Sequence, residues 1–303
     1  MQSEFSNMKD EIVSSFKSGD MLQKLIYINL GVFVVVGLIG VAQFLFRVES
    51  SWLTYLEFPA SFTSFLCRPW TIVTFMFLHE GFIHLIINLL MLYWFGKIFM
   101  QLYHVQRDLT GLYLLGGICG ALFYMMAYNI FPQFSDKVEY SVLLGASASV
   151  MAIVVAVAVT SPNYLIKLLF FGDVKLKWVA FVSVLISLLN VASGNAGGEI
   201  SHLGGGFAGF MFAYQYKKGV NITKWINNCV DWCVNIFSRR PRMKVASGSG
   251  TYAGRNGSDY DYNLRKRQQD ENVNRILEKI KRGGYDSLTN EEKHELFKAG
   301  QRK

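Results

Sequence analysis

Three polar residues punctuate an otherwise apolar chain: His84 at the head of HLIINLLMLYWFG, Ser147 in GASAS, and His202 in SHLGGGFAGF. A serine hydroxyl becomes a nucleophile when an adjacent imidazole accepts its proton, so a serine and a histidine brought together are the working parts of an acyl-transfer site. Asn88 follows His84 by four residues, which on a helix places both on one face and aims them at one site. Each of the three residues opens a hydrophobic span. Helix N-termini carry unpaired N–H groups and the positive end of the helix dipole, both suited to stabilising an oxyanion.

The elements that must position these residues are membrane helices. Of 303 residues, 51% are hydrophobic and 17% are charged, whereas soluble domains average about 25% charge. Six apolar stretches approach the roughly 17–25 residues that a span requires: 24–46, 83–103, 109–131, 143–160, 177–194 and 201–216. The expected class is an all-α, polytopic membrane protein built as a six-helix bundle. Lys9, Lys17 and Lys24 precede the first span, Lys97 and Arg107 separate the second from the third, and Lys167, Lys175 and Lys177 separate the fourth from the fifth. The opposite connections carry only Arg47, Arg68 and Lys137, so the positive-inside rule puts both termini in the cytoplasm. Spans two, four and six then run inward, and His84, Ser147 and His202 meet at the outer face, each within about one turn of its helix start.

Small residues suggest how the fourth and sixth spans approach each other. Ala148, Ala152 and Ala156 form one stripe and Gly205 with Gly209 another, the small-xxx-small pattern of tight membrane helix pairs. Gly145 suits an irregular entry just before the serine. Such contact predicts Ser147 and His202 within the roughly 2.6–3.2 Å that proton transfer needs.

On these residues the chain resembles the rhomboid family of intramembrane serine proteases. The resemblance covers about 68–215: W-T-x-x-T-x-x-F-L-H-x-G-x-x-H-x-x-x-N over 70–88, G-x-S over 145–147 and H-L-G-G over 202–205. It implies a catalytic dyad without an acidic third member, Ser147 as nucleophile and His202 as general base. It also implies an oxyanion hole from His84, Asn88 and the Ser147 backbone N–H, and single-span membrane proteins as substrates. Two positions depart from the family pattern: Ala148 stands where glycine is usual and Met151 where an aromatic is usual. The Ala148 methyl narrows the approach to the nucleophile, and the Met151 sulfur could pack on the His202 ring. The alternative is a proteolytically inactive rhomboid-like protein that binds membrane clients. A transporter is disfavoured, since no ionisable residue lies at a span centre and no inverted repeat is evident.

Outside the bundle, 1–23 reads as a cytoplasmic segment with Met8, Ile12 and Phe16 on one face of an amphipathic helix, and no cleavable signal peptide is expected. The connection from 47 to 82 is rich in aromatics, Trp52, Tyr55, Phe58, Phe62, Phe65 and Trp70, and is expected to sit partly in the outer interface. His79 is expected to shape this connection, and His104 to lie far from Ser147. Residues 218–246 read as an interfacial amphipathic helix followed by a polybasic cluster, Arg239, Arg240, Arg242 and Lys244. A flexible linker over 247–262 leads to a cytoplasmic helical hairpin over 263–303, stopped by Gly283-Gly284 and restarted by a Thr289/Glu292 capping box. That hairpin is small enough to need a partner. The net charge of +8 points to anionic lipid, with nucleic acid not expected. Cys67, Cys119, Cys229 and Cys233 are too scattered for a disulfide framework, and Cys229 with Cys233 reads as helix packing. No cofactor or metal motif is found. The expected location is the plasma (inner) membrane.

Overall fold

The computed structural model describes residues 19–103, 105–168, 172–192, 194–237, 275–281, 283–284, 288–289 and 291–293. The N-terminal amphipathic segment, His104, the polybasic cluster and the Gly/Ser-rich linker fall outside them. The chain divides into two units, Met1–Arg240 and Pro241–Lys303.

The first unit is a helix bundle. Its longer helices are α1 (Met21–Phe46), α2 (Phe82–Leu102), α3 (Gln106–Ile130), α4 (Ser147–Thr160), α5 (Leu176–Leu189), α6 (Ala196–Lys217) and α7 (Lys224–Phe237). The Asp20 carboxylate caps α1 by accepting from the Gln23 N–H at 2.8 Å. Three helices, α1, α2 and α3, are long and apolar enough to cross a membrane. The sequence predicts six spans, and the remaining three helices differ for identifiable reasons. With 14 residues each, α4 and α5 extend only about 21 Å at 1.5 Å per residue. In α6, glycines replace the bulky apolar residues of an ordinary span.

The bundle is centred on α3, α4 and α6, which pack on one another, while α1 and α5 lie at the periphery. Accordingly α4 is buried along nearly its whole length, from Ala148 to Ala158. In contrast, α1 presents Val34, Leu38, Val41 and Phe44 outward, as a lipid-facing helix would. Its first third is tied in by Asn29, whose amide donates to the Leu25 carbonyl and whose oxygen accepts from the Tyr113 hydroxyl at 3.2 Å.

The connection between α1 and α2 holds short helical turns at Trp52–Tyr55, Phe62–Cys67 and Thr71–Thr74. Between them β1 (Phe58–Pro59) pairs antiparallel with β2 (Val142–Leu143). The predicted interfacial aromatics therefore divide. Tyr55, Phe62 and Trp70 are exposed, but Phe58 is buried against Phe65, Phe75 and Tyr124, with ring centroids 5.3, 5.7 and 6.4 Å away. Both residues of β1 are buried, so the strand carries Phe58 into the core. A second hairpin, β3 (Leu165–Leu168) with β4 (Gly172–Lys175), joins α4 to α5.

Asp108 in the first turn of α3 gathers the start of α7. Its Oδ1 accepts from Asn221 at 2.8 Å, Asn227 at 3.3 Å and Thr223 at 3.4 Å. Outward from this anchor, Trp225, Cys229, Trp232, Cys233 and Ile236 are all exposed, so the two cysteines do not pack into the core of the described residues.

In the second unit, 275–281 is helical and Gly284 adopts φ +75°, donating to the Ile280 carbonyl at 2.9 Å. Thr289 and Glu292 form reciprocal capping bonds of 2.8 and 3.3 Å, and Lys279 pairs with Glu292 at 2.8 Å.

Candidate active site

Ser147 is the first residue of α4, so its backbone N–H has no acceptor within the helix. The chain reaches it through Gly145, whose N–H donates to the Phe75 carbonyl at 2.9 Å. Gly145 has φ +126°, a conformation that side chains disfavour. A Cβ here would lie 3.2 Å from His84 Cε1, 3.6 Å from its Nε2 and 3.7 Å from Ser147 Oγ. The missing side chain thus lets the serine and the His84 ring converge on one point.

The stripes of small residues make the α4–α6 contact. A Cβ on Gly205 would overlap the Ala148 carbonyl oxygen, and one on Gly209 the Ala152 carbonyl oxygen. On the other side of α4, a Cβ on Gly120 of α3 would meet the Ala148 methyl at 2.6 Å. Ala148 is therefore wedged between two helices, and its methyl packs against α3 instead of closing over the serine.

Ser147, His202, His84 and Asn88 line one cavity of about 1090 Å³, with Tyr128, Tyr140, Glu57, Glu80 and Asn195 among its other walls. The Asn88 amide donates to the His84 carbonyl at 2.9 Å, which uses one of its two N–H groups. His79 also faces the cavity, its ring edge-on to His84 at 5.5 Å. Neither of its buried nitrogens makes a hydrogen bond of ordinary geometry among the described residues. Burial, then the neighbouring His84, outweigh the nearby Phe77 backbone and hold the His79 imidazole down to about 4. His79 is therefore neutral at pH 7.

His202 differs from its predicted placement in two ways. Because α6 begins at Ala196 and not at 201, His202 lies about 9 Å from the helix start, beyond the first turn. Among the described residues no hydrogen bond joins it to Ser147. Its Nδ1 instead meets Ser187 Oγ of α5 at 3.1 Å and Glu199 Oε2 at 3.3 Å. The Ser147–His202 spacing is thus looser than the sequence predicts.

Sequence reasoning missed Glu199 and Ser187. The signal for Glu199 was its i, i+3 spacing to His202, hidden because Gly197-Gly198 reads as loop. Nothing in the sequence singles out Ser187. The Ser149 hydroxyl, one residue past Ala148, is buried without a partner among the described residues.

The rhomboid domain family matches residues 66–218, half of the chain, and the chain belongs to that family. Residues 258–299 match a second family, described only as a family of unknown function (DUF6576). RHOMBOID-like protein 12, mitochondrial, of Arabidopsis thaliana is 26% identical over 210 residues, 66% of this chain and 59% of that protein. Inactive RHOMBOID-like protein 8 of the same plant is 35% identical over 83 residues, 27% of this chain and 23% of its own length.

Proposed function

We propose that this protein is an intramembrane serine endopeptidase that cleaves single-span membrane proteins near the outer membrane face. The observation that carries the reading is the shared cavity: a helix-initial serine, a histidine on the adjoining helix, and two polar side chains of α2 beside them. A substrate segment with low helix propensity unwinds there and exposes a peptide carbonyl. Ser147 Oγ attacks the carbonyl carbon as His202 takes the hydroxyl proton. The tetrahedral oxyanion is held by the Ser147 N–H, by the second N–H of Asn88 and by His84. Collapse breaks the C–N bond, with the proton passing from His202 to the leaving amine. Water then attacks the acyl-enzyme by the same route and restores the Ser147 hydroxyl.

In this reading the bundle crosses the membrane six times with both termini in the cytoplasm, in the plasma (inner) membrane. The tail beyond residue 246 is then cytoplasmic and available to a partner. The reaction needs no cofactor or metal.

The second reading, an inactive relative that holds membrane clients, draws on the absence of a Ser147–His202 hydrogen bond and on the name of Inactive RHOMBOID-like protein 8. A fluorophosphonate probe separates the two. The detergent-solubilised protein is expected to label covalently, and Ser147→Ala and His202→Ala are expected not to. A folded wild type that labels no faster than Ser147→Ala refutes the protease and supports the client-binding reading.

A further inference from the structure

We infer that Glu199 is a positioning residue for His202, an acidic third member behind the Ser147–His202 pair, with Ser187 sharing the same ring nitrogen. The inference rests on the protease reading and adds to it the acidic member that the sequence resemblance leaves out.

A general base must present an unprotonated Nε2 to the serine, which requires the imidazole proton to sit on Nδ1. A carboxylate can only accept, so Glu199 Oε2 at 3.3 Å from Nδ1 selects that tautomer. Ser187 Oγ, at 3.1 Å from the same nitrogen, is ambivalent: its hydroxyl could also donate to a bare Nδ1 and favour the wrong form. The carboxylate resolves that ambiguity.

Local structure frees Glu199 for this task. The N-terminus of α6 is already capped by Asn195, whose side chain accepts from the Gly198 N–H at 3.2 Å. Glu199 therefore turns along the helix toward His202 with its side chain only 15% exposed. Among the described residues it makes no ion pair with Lys or Arg. It also stabilises the imidazolium that forms as Ser147 loses its proton, the role an acidic orienter plays in soluble triads. The other titratable groups facing His202 are few. His84 approaches from α2, and the cavity wall adds His79, Glu80, Glu57, Tyr128 and Tyr140. From α4 and α5 come only the hydroxyls of Ser147 and Ser187.

The test uses the full chain in detergent and two readouts. The rate of fluorophosphonate labelling is measured from pH 5 to 9 for wild type, Glu199→Gln, Glu199→Asp and Ser187→Ala, with Ser147→Ala as background. Loss of an acidic orienter costs about 10⁴-fold in a soluble triad. Here the longer bond and the Ser187 partner reduce the expected loss for Glu199→Gln to roughly 10–100-fold, with the acidic limb of the profile moved to lower pH. Glu199→Asp should recover part of the rate, and Ser187→Ala should lose less than about threefold. The second readout is the ¹⁵N shift of His202, assigned by His202→Asn, which reports whether Nδ1 carries the proton. A Glu199→Gln protein with wild-type rate and unchanged profile overturns the inference. If wild type itself fails to label, the protease reading falls, while the nitrogen shift still decides whether Glu199 sets the tautomer; no change in that shift in Glu199→Gln overturns the inference independently.

Discussion

Replacing Gly205 with alanine tests the geometry that brings the site together. The added Cβ would overlap the Ala148 carbonyl oxygen and lie 2.8 Å from its carbonyl carbon and 3.0 Å from its Cα. Carbon–carbon contacts are optimal at about 3.5–4.0 Å, so relieving the carbonyl-carbon contact requires α4 and α6 to separate by roughly 0.7–1.2 Å. Overpacking of this kind costs about 1–3 kcal/mol. Ser147 is the neighbour of Ala148 and His202 lies one turn before Gly205, so the same displacement opens the gap between the proposed nucleophile and its proposed base. A misplacement near 1 Å can cost about 100-fold in rate. Gly206 supplies the control. Its Cβ would meet Val155, Val184 and Met151 at 3.6–3.8 Å, which is ordinary contact. There alanine should gain up to about 1 kcal/mol of helix propensity. The assay is the fluorophosphonate labelling rate of the folded fraction, with thermal unfolding in the same detergent. Gly205→Ala should label at least ~10-fold more slowly and melt earlier, and Gly206→Ala should match or exceed wild type. Equal behaviour of the two variants would refute the argument that helix approach at Ala148 sets the site.

Asn88→Ala should reduce the labelling rate by about 10²–10³-fold, the worth of one oxyanion donor, with substrate binding less affected; a selective loss of binding would contradict that role. His79 titrates lower in the folded protein than the usual 6.5, so the unfolded chain binds more protons between about 6.5 and 4. Stability should be present above that window and fall as pH drops through it, and His79→Gln should flatten this loss in melts taken from pH 7 to 4.5. Truncation after Val245 should leave labelling unchanged, because Ser147 and every residue lining its cavity lie before that point; a folded but inactive truncation would overturn this.

The apolar runs and the small-residue stripes were legible because burial and close approach leave a strong compositional trace. Gly205 and Gly209 face Ala148 and Ala152 as their spacing predicts, and Thr289 with Glu292 caps as its motif predicts. The short length of α4 was not legible. Its apolar run continues upstream through Val142 and Leu143, which the chain uses as a strand against Phe58. The start of α6 was obscured in the opposite sense, by two glycines and an acid that hydropathy reads as loop. That misplaced boundary concealed Glu199. Ser187 is a tertiary contribution from another helix, and local sequence carries no trace of such a meeting.

The burial of α4 has a consequence for how the protein responds to its bilayer. A helix with lipid on all sides adjusts to membrane thickness by tilting or by deforming the lipid around it. The length of α1 beyond Asn29 is largely exposed and can do so, whereas α4 touches its neighbours along nearly its whole length. The depth of Ser147 is therefore fixed by α3 and α6, and short-chain and long-chain lipids would move the periphery of the molecule while its serine keeps one register against the histidine.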